Sequence, residues 1–432
     1  MTDETSAPEE IDEKAVWQRV LELMGDRRFQ VGPVWSRKLR ANPRNLALAF
    51  SRTKFAAKLA CVERKVLELG CGEGIPSVLL AEQASDYVGV DASAEAIAAA
   101  RTAWEGQEGM RFLTEAEAQA EELNGFAAVV CLQGAGGLDA AATKALVERA
   151  SSALEYEGVF VIGAEVDALD ASLQGELSAG FRYVLPFAFR GTLMSAGAAE
   201  SGGFQVFVAC LKRQSAAEPI ALAPALAEVE GQVTFGAHGS YLLYNTPRRT
   251  LYSTNYYGFA SSLLGKGRVL DIGCGEGLGT WLLAAECGYA KGVDFDEPAI
   301  EAAKLNWPDP RVEFLCGDAH ELPKTERYDA VVNFDVIEHI DPESADDFLA
   351  ALRDMLTTDG MVVIGTPNIT SKQYASAVTN AGHINLYSGA RMEAALSRLF
   401  RYVMVFSAND ELIHTGFHPM AHYIIGVGCG PK

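Results

Sequence analysis

The stretch Val269-Leu-Asp-Ile-Gly-Cys-Gly-Glu-Gly277 joins a short apolar run and an acidic residue to three glycines at alternate positions. An apolar strand that leads into Gly-x-Gly-x-Gly predicts a tight turn and a helix directly after it. Backbone N–H groups and the N-terminus of that helix then face any ligand at the carboxyl end of the strand. Glycine suits the turn because a side chain would block the approach of the ligand. The stretch therefore predicts a ligand site at one edge of a parallel sheet.

A near copy of this stretch, Val66-Leu-Glu-Leu-Gly-Cys-Gly-Glu-Gly74, lies 203 residues earlier. Three further pairs of segments match at offsets of 202 or 203 residues: Gly89-Val-Asp91 with Gly292-Val-Asp294, Phe126-Ala-Ala-Val-Val130 with Tyr328-Asp-Ala-Val-Val332, and Gly158-Val-Phe-Val-Ile-Gly163 with Gly360-Met-Val-Val-Ile-Gly365. Phe181-Arg-Tyr-Val184 also recurs as Phe400-Arg-Tyr-Val403 near the end of the second half. Such self-similarity indicates two copies of one domain.

Short apolar runs alternate with Ala- and Leu-rich stretches of helical spacing in both copies. This pattern is typical of parallel strands joined by crossover helices, so each half is predicted to be an α/β, doubly wound, Rossmann-like sheet. Helices are expected ahead of the sheets, at about 12–24, 43–60 and 247–264. We expect a first domain over residues 1–212, an Ala-, Pro- and Glu-rich linker over 213–232, and a second domain over 233–432.

The composition disfavours several classes of protein. With 57 acidic against 36 basic residues, the chain has a net charge of −21, which disfavours binding to nucleic acid. We find neither a basic, apolar leader nor an apolar run of about 18 residues, so we expect a cytoplasmic protein that does not insert into membranes. The eight cysteines never form Cys-x-x-Cys, which favours reduced thiols over disulfides or a zinc site. The oligomeric state, including a homo-oligomer, is left open.

Acidic residues end successive predicted strands around the glycine loop. Asp271 ends the first strand, where it would attract an α-ammonium group and repel a pyrophosphate. Asp294 ends the second strand, where a carboxylate can accept hydrogen bonds from both ribose hydroxyls. Asp318 ends the third strand, placed for the amino group of an adenine, and Asn333 lies near the end of the fourth. These positions suit a nucleoside that carries a methionyl group.

In order along the chain, the motifs Asp-x-Gly-x-Gly-x-Gly, Val-Asp, Gly-Asp-Ala and Phe-Asp-Val-Ile-Glu-His resemble those of the class I S-adenosylmethionine-dependent methyltransferases. The resemblance covers nearly all of residues 265–410, and about half of the motifs recur over 60–212. It implies that S-adenosylmethionine is the methyl donor. It also implies a set of cofactor-binding residues: Asp271, Gly273, Gly275, Gly277, Asp294, Phe295, Asp318, Ala319 and Asn333.

The two halves differ at the positions that are expected to face ligands. At an offset of 202 residues, the first half has small or neutral residues in place of polar ones: Ala116 for Asp318, Ala118 for His320, Gln133 for Asp335, and Gly136-Gly137 for Glu338-His339. It keeps a glycine loop and the acid Asp91. We therefore expect the first half to be a degenerate, non-catalytic copy and the second half to carry the chemistry.

Asp335-Val-Ile-Glu338-His339 follows the fourth predicted strand, where class I enzymes present groups to the methyl acceptor. It is similar to the Glu-x-x-Glu-His that holds a divalent cation in ubiquinone-biosynthesis O-methyltransferases and in small-RNA 2′-O-methyltransferases. His383 lies at about the place of a further histidine of the second family. The resemblance implies Mg²⁺ or another divalent cation on Asp335, Glu338, His339 and His383, with the first three as catalytic residues. A metal-free acid–base site built on His339 and a purely structural role of the cluster stay open.

The methyl acceptor is the part of the function that the sequence determines least. The polar cluster favours a hydroxyl and the acidic surface disfavours RNA, so we expect O-methylation of a small polar acceptor such as a sugar, nucleotide-sugar or glycan hydroxyl. Residues 409–418 also resemble sequence endings of methyltransferases of bacterial surface-sugar biosynthesis. N-methylation of a small amine and a non-catalytic sensor or scaffold that binds S-adenosylmethionine are the alternatives. The aromatic stretch 241–257 is either a lid or an ordinary packed helix.

Overall fold

The computed structural model of the chain describes Arg19 and residues 30–213, 232–245, 247–318, 322, 325–375 and 377–432. Three sequence predictions fall on other residues: the helix at 12–24 apart from Arg19, nearly all of the linker, and the cofactor-binding residue Ala319. None of the described helices is long and apolar enough to cross a membrane.

The first half forms a sheet of eight strands. In chain order these are β1 (Lys65–Leu69), β2 (Asp86–Asp91), β3 (Met110–Thr114), β4 (Phe126–Cys131), β5 (Leu154–Glu165), β6 (Phe181–Arg190), β7 (Leu193–Ala196) and β8 (Phe204–Lys212). They lie in the order β3-β2-β1-β4-β5-β8-β6-β7. The first five strands pair in parallel, whereas β8, β6 and β7 extend the sheet by antiparallel pairing.

The second half repeats this sheet with the same topology. Its strands are β9 (Gly267–Ile272), β10 (Gly288–Asp294), β11 (Val312–Cys316), β12 (Tyr328–Phe334), β13 (Leu356–Pro367), β14 (Phe400–Asn409), β15 (Leu412–His414) and β16 (Tyr423–Pro431). Their order, β11-β10-β9-β12-β13-β16-β14-β15, matches that of the first sheet strand for strand. The prediction of two tandem Rossmann-like α/β sheets is confirmed.

Helices connect the strands of both sheets. In the first half they are α1 (Pro33–Ala41), α2 (Arg44–Ala56), α3 (Val78–Ala81), α4 (Ala94–Ala103), α5 (Glu115–Ala120), α6 (Ala140–Ala153) and α7 (Leu173–Gly180). In the second half they are α8 (Ala237–Asn245), α9 (Pro247–Leu264), α10 (Leu278–Cys287), α11 (Glu297–Asn306), α12 (Ala345–Asp354), α13 (Ala377–Gly382) and α14 (Gly389–Ser397). The helices predicted at 43–60 and 247–264 are confirmed by α2, which continues as a π-helical turn to Cys61, and by α9.

The order of the strands places both glycine loops at a crevice. From β1 the chain builds the sheet outward through β2 and β3, and then returns to β4 on the other side of β1; β9 and β12 repeat this step. In open α/β sheets, ligands bind outside the carboxyl ends of the strands at the point where this reversal occurs. Because each glycine loop directly follows β1 or β9, it lies at that point in its sheet.

The two halves pack on each other through β6 and β14. Phe187 of β6 stacks on Phe406 of β14 with ring centroids 5.9 Å apart. On either side of this pair, the rings of Phe55 and Phe187 pack edge to face with centroids 4.8 Å apart, and those of Phe259 and Phe406 do so at 5.0 Å. Since Phe55 and Phe259 hold equivalent places in the two halves, as do Phe187 and Phe406, the contacts follow an approximate two-fold relation. One apolar core therefore runs through both halves.

Polar contacts between the halves follow the same relation. Arg182 forms an ion pair with Asp359 at 2.7 Å, and Arg401 forms one with Glu157 at 2.9 Å. Arg182 and Arg401 belong to the repeated Phe-Arg-Tyr-Val segment, and their partners lie at equivalent turns of the two halves. The halves thus contact each other as the two subunits of a symmetric dimer would.

The cysteines lie mainly in the interior. All eight are free thiols, and Cys316 alone among them is exposed. Burial raises the pKa of Cys131 and of Cys287 to about 12, which keeps both thiols protonated. This agrees with the prediction of reduced, buried thiols.

Candidate active site

The loop after β9 holds its three glycines in the left-handed conformation. Their φ angles are 78° at Gly273, 52° at Gly275 and 81° at Gly277, a region in which glycine avoids the strain that a side chain would cause. A Cβ atom at Gly275 would meet no atom within 4 Å, so this glycine borders open space. The loop therefore leaves room for a ligand at the carboxyl end of β9, as predicted.

Asp294, at the end of β10, is fixed against this loop. Its Oδ2 accepts a hydrogen bond from the backbone N–H of Gly275 at 2.8 Å, and its Oδ1 accepts one from the N–H of Asp296 at 3.0 Å. A carboxylate has about four lone-pair sites, so both oxygens can accept further hydrogen bonds. Asp294 thus presents acceptors beside the open space at Gly275, where the sequence places the ribose hydroxyls.

Asp271 is fully buried and is bound by protein groups. Its Oδ1 accepts a hydrogen bond from the hydroxyl of Tyr257 at 3.0 Å, and its Oδ2 accepts one from that of Thr280 at 2.6 Å. Burial raises the pKa of Asp271 to about 7 despite these two bonds. Asp271 therefore ties α9 and α10 to β9, and its contact with an α-ammonium group stays a prediction.

Three more predicted cofactor residues lie at the ends of neighbouring strands. Phe295 follows β10 with a ring that is 86% exposed, and Asp318 is exposed after β11. Asn333 is buried in β12, where its amide donates to the carbonyl of Ile272 at 3.0 Å. The Oδ1 atom of Asn333 has no hydrogen-bond partner among the described residues. The structure thus places these three residues at the same, carboxyl-terminal edge of the second sheet.

The first half keeps the loop and its acid in nearly the same geometry. Gly72 has a φ of 56° and also borders open space, and its N–H donates to Asp91 at 2.8 Å. Glu68, the equivalent of Asp271, accepts a hydrogen bond from Tyr87 of the neighbouring strand. The halves therefore differ beyond the loop, where Gln133 and the glycines after it offer no carboxylate or imidazole.

Asp335 opens the loop after β12 in a left-handed conformation, with a φ of 56°. Such angles are uncommon outside glycine, and in proteins they concentrate at functional sites. Its N–H donates to the carbonyl of Gly365 at 3.1 Å, and its side chain is open to solvent. The surrounding protein nevertheless removes part of the hydration of the carboxylate and raises its pKa.

Glu338 lies in a 3-10 helix, Ile337–His339, and is fully buried. Its Oε2 accepts a hydrogen bond from the hydroxyl of Thr366 at 2.9 Å, whereas its Oε1 has no partner among the described residues. Burial, followed by the charge of Asp335, raises the pKa of Glu338 to about 8. At neutral pH this carboxyl therefore carries either a proton or, in its place, a cation.

His339 and His383 lie side by side at the same loop. Their ring centroids are 4.9 Å apart, and Nδ1 of His339 lies 2.9 Å from the carbonyl of Gly382. Burial lowers the pKa of His383, which favours its neutral form. Glu338, His339 and His383 each offer one ligand atom, and these atoms all lie within 4.8 Å of one another. The structure thus brings together three of the four predicted metal ligands, and Asp335 lies outside that group.

Three residues of the site were not predicted from the sequence: Thr366, Tyr423 and Arg249. The hydroxyl of Tyr423 is buried without a hydrogen-bond partner among the described residues, and burial together with Asp335 and Glu338 raises its pKa well above the usual value. Arg249 is exposed on α9 and lowers the pKa of both acids. No local motif marks these residues, because only the strand order brings β16 and α9 to this loop.

The aromatic stretch 241–257 is packed at its C-terminal end. Tyr256 stacks on Tyr423 with ring centroids 4.5 Å apart, and the hydroxyl of Tyr252 donates to Asp410 at 2.7 Å. Tyr257 also binds Asp271 of β9. Together these contacts favour the interpretation of α9 as a packed helix that forms one wall of the crevice.

A glutamate of each glycine loop anchors the helix that precedes the sheet. Glu276 accepts hydrogen bonds from the N–H groups of Gly236 and Gly239, both at 2.9 Å, at the start of α8. Glu73 does the same for α1, since it accepts bonds from the N–H groups of Val34 at 2.7 Å and Trp35 at 2.9 Å. The second acidic residue of the repeat thus couples the loop to the helix ahead of the sheet in both halves.

A family model described as a methyltransferase domain matches the chain twice, over residues 66–158 and 269–360. Each match begins in the strand before a glycine loop and ends in the fifth strand of its sheet. The resemblance that the motifs indicate is thereby confirmed in both halves.

Relatives of known name match shorter segments. Over 123 residues the chain is 34% identical to the ubiquinone biosynthesis O-methyltransferase of Bradyrhizobium diazoefficiens. This segment makes up 28% of this chain and 48% of that protein. Over 101 residues it is 37% identical to a Mycobacterium tuberculosis protein named probable S-adenosylmethionine-dependent methyltransferase, which covers 23% of this chain and 35% of that protein. The chain therefore spans about half the length of these relatives or less.

Solved structures that resemble the chain include two methyltransferases in complex with S-adenosylhomocysteine. The N-methyltransferase NodS of Bradyrhizobium japonicum is 18% identical, with a TM-score of 0.33 and coverage of 44% of this chain and 92% of that one. The plantazolicin methyltransferase BpumL is 18% identical, with a TM-score of 0.36, and its alignment covers 45% of this chain and 88% of BpumL. Each alignment covers less than half of this chain.

Proposed function

We propose that this chain, in which both halves match a methyltransferase-domain family model, is an S-adenosylmethionine-dependent methyltransferase that acts through its second half on a hydroxyl of a small polar acceptor. A sugar, a nucleotide sugar or a glycan is the preferred acceptor class. The observation that carries the proposal is the convergence of Glu338, His339 and His383 after the fourth strand of the second sheet, at the loop that Asp335 opens. The donor, when bound, supplies an electrophilic methyl group.

Side chains around the glycine loop would hold the donor. Asp294 has free lone pairs beside Gly275 for the two ribose hydroxyls, and the exposed ring of Phe295 offers an apolar surface to the adenine. Asp318 would accept a hydrogen bond from the adenine amino group. The Oδ1 of Asn333, which has no partner among the described residues, gives the donor one more buried acceptor, which suits its α-ammonium group.

Residues after β12 would prepare the acceptor. A hydroxyl must lose its proton as it takes the methyl group, and a base within hydrogen-bond reach lowers the barrier to that loss. Nδ1 of His339 faces the carbonyl of Gly382, so the proton of a neutral ring lies on Nδ1 and the lone pair on Nε2. His339 would therefore take the proton, and Asp335, which is open to the crevice, would orient the hydroxyl.

The same cluster fits a divalent cation. Glu338 has a buried oxygen without a partner among the described residues, and a carboxylate oxygen of Glu338 and ring nitrogens of His339 and His383 lie within 4.8 Å of one another. A set of two imidazoles and one carboxylate suits Mn²⁺, Fe²⁺ or Zn²⁺ better than Mg²⁺, which prefers oxygen ligands. A cation held there would supply Lewis acidity that lowers the pKa of an acceptor hydroxyl.

A direct test incubates the purified chain with S-adenosylmethionine and a series of sugars, nucleotide sugars and matched amino sugars. Mass spectrometry then records S-adenosylhomocysteine and the gain of one methyl group on an acceptor. We expect transfer to a hydroxyl. Transfer to amines alone would replace this proposal by N-methylation, and tight binding of the donor without any product would favour a sensor.

A matched pair of variants separates the two halves. Asp294→Asn should lower the rate of transfer by about 100-fold, because the donor loses its ribose acceptor and its orientation. Asp91→Asn removes the equivalent carboxylate of the first half and should leave the rate within about twofold. Equal losses in both variants would contradict the assignment of catalysis to the second half.

Chelation tests the cation. If a metal takes part, EDTA abolishes transfer, Mn²⁺ restores it in the natural chain, and His383→Asn raises the Mn²⁺ concentration that is needed. Full activity in EDTA would exclude the metal and assign the proton transfer to His339 alone.

A further inference from the structure

A groove with a volume of about 200 Å³ lies next to the reaction-centre loop. The residues that line it include Ile369 and Lys372, which follow β13, His383, Ile384 and Asn385 between α13 and α14, and Arg391 in α14. His383 belongs both to this groove and to the group with Glu338 and His339. The groove therefore opens directly beside the atoms that are proposed to activate the acceptor.

The charge of the groove differs from that of the whole chain. Lys372 and Arg391 line it, and no acidic side chain is among its described lining residues, whereas the chain carries a net charge of −21. Lys372 is exposed and forms no ion pair with a carboxylate in the described part of the chain. A cluster of one sign in a concave site raises the local concentration of the opposite charge. The groove therefore favours an anion on an otherwise acidic protein.

Arg391 is held in place with hydrogen-bond donors to spare. It donates to the carbonyl of Leu386 at 2.8 Å and to Oδ1 of Asn385 at 2.6 Å, and its guanidinium lies 4.0 Å from the centre of the Tyr387 ring. A guanidinium has five N–H donors, and the described residues accept from two of them, which leaves three for a ligand. A fixed guanidinium with free donors matches the paired oxygens of an anionic group.

Asn385 connects this arginine to the reaction-centre loop. Its backbone N–H donates to the carbonyl of Glu338 at 3.0 Å, and its side-chain amide donates to that of Ile337 at 3.1 Å. Oδ1 of Asn385 also accepts the hydrogen bond from Arg391. Asn385 therefore links the groove to the backbone carbonyl of Glu338 through two hydrogen bonds. An anion on Arg391 would thus hold the loop of Glu338 in its present position.

We propose that this groove binds a phosphoryl group of the methyl acceptor through Lys372 and Arg391. The inference rests on the proposed function and narrows its acceptor class to phosphorylated molecules, such as a sugar phosphate or a nucleotide sugar, over a neutral glycan. Ile369 and Ile384 supply apolar walls for the rest of the acceptor. The acceptor would enter with its phosphoryl group in the groove and its hydroxyl past His383, toward His339.

Calorimetric titration of the full chain with pyrophosphate, in EDTA and with or without S-adenosylhomocysteine, tests this proposal without turnover. We expect pyrophosphate to bind, and Lys372→Gln to weaken binding by about fivefold to tenfold. Lys304→Gln, which removes an exposed lysine of α11 outside the groove, should leave binding unchanged. Arg391→Lys keeps the charge and loses the paired donors, so it should weaken binding as well.

Three results would overturn the proposal: no pyrophosphate binding to the natural chain, equal affinity in the Lys372 and Lys304 variants, or tighter binding of malonate, a dicarboxylate. Titration with S-adenosylhomocysteine runs in parallel. Loss of its binding, or failure of methyl transfer, bears on the proposed function, whereas loss of pyrophosphate binding alone bears on the groove.

Discussion

At the residue scale, Glu338 is a site carboxyl whose ionisation depends strongly on its surroundings. One of its oxygens is bound to Thr366 and the other has no partner among the described residues. A buried carboxyl in this state favours the neutral form, because desolvation penalises the charge more than one hydroxyl can compensate. Glu338 therefore links the stability of the fold to pH and to any cation that replaces its proton.

The stability of the chain should reveal this carboxyl. The pKa of Glu338 is about 8 in the folded chain, whereas a glutamate of an unfolded chain titrates near about 4.3. Protonated Glu338 therefore contributes its full stabilisation below the pKa of the unfolded chain. This stabilisation is lost as the pH rises through the pKa of the folded chain. Relative to Glu338→Gln, the natural chain should lose up to about 1.4 kcal/mol of unfolding free energy per pH unit across this window.

Urea unfolding at several pH values in EDTA measures this difference. Glu343→Gln, at an exposed glutamate shortly after Glu338, is the control and should give a curve parallel to that of the natural chain. If the free energy of unfolding depends on pH in the same way for Glu338→Gln and the natural chain, Glu338 is ionised in the fold.

Cation binding should depend on the same proton. Since Mn²⁺ has to displace it from Glu338, whose pKa is about 8, the apparent affinity should rise about tenfold per pH unit below that value. Mn²⁺ titration followed by electron paramagnetic resonance measures the slope. Glu338→Gln should bind Mn²⁺ more weakly and without this dependence on pH. A natural chain with the same Mn²⁺ affinity at every pH would contradict the assignment of Glu338 as a ligand.

At the scale of single elements, helix α9 forms a wall that three parts of the second half hold in place. Tyr257 binds Asp271 of β9, Tyr252 binds Asp410 after β14, and Tyr256 stacks on Tyr423 of β16. A helix that is fixed at several points along its length presents its side chains to the crevice with little freedom. The position of Arg249, whose charge lowers the pKa of both acids of the site, therefore depends on this packing.

Removal of one of these contacts should weaken the fold measurably. Tyr257→Phe leaves the buried carboxyl of Asp271 with Thr280 as its remaining side-chain partner, and should lower the free energy of unfolding by about 1–3 kcal/mol. Tyr244→Phe, at an exposed tyrosine of α8, should change it by less than about 0.5 kcal/mol. Chemical denaturation measures both variants, and similar small effects in the two would show that the Tyr257 bond contributes little.

At the scale of the whole molecule, the two halves share one core, and Phe187 and Phe406 lie at its centre. Either ring truncated to alanine should cost about 3–5 kcal/mol, because a buried aromatic ring leaves a cavity that closes only in part. Because the two rings stack, the double variant should lose about 0.5–1.5 kcal/mol less than the sum of the single variants.

Chemical denaturation of the full chain, read by both fluorescence and circular dichroism, measures this cycle. The natural chain should unfold in one transition with coincident signals, because neither half buries its face without the other. Phe417→Ala, at an exposed ring, is the control. Two separate transitions in the natural chain, or exact additivity of the two variants, would contradict a shared core.

The amino-acid sequence by itself determined the tandem organisation and both sheets, and it predicted the cofactor end of the second site. These features are local: a glycine loop, an acid at the end of a strand and the alternation of strands and helices can all be read within a few residues. The comparison of the halves at a fixed offset also located Asp335, Glu338 and His339, since a repeat supplies its own reference for what one copy has lost.

The tertiary structure decided which of these side chains meet. Strand order places Tyr423 and Thr366 beside Glu338, brings His383 to the cluster and leaves Asp335 outside it. It also turned Asp271 into a buried anchor and joined the halves through a common core. Contacts of this kind join residues far apart in the chain, and burial, which sets the pKa of Glu338, depends on everything packed around a side chain and not on its neighbours in sequence.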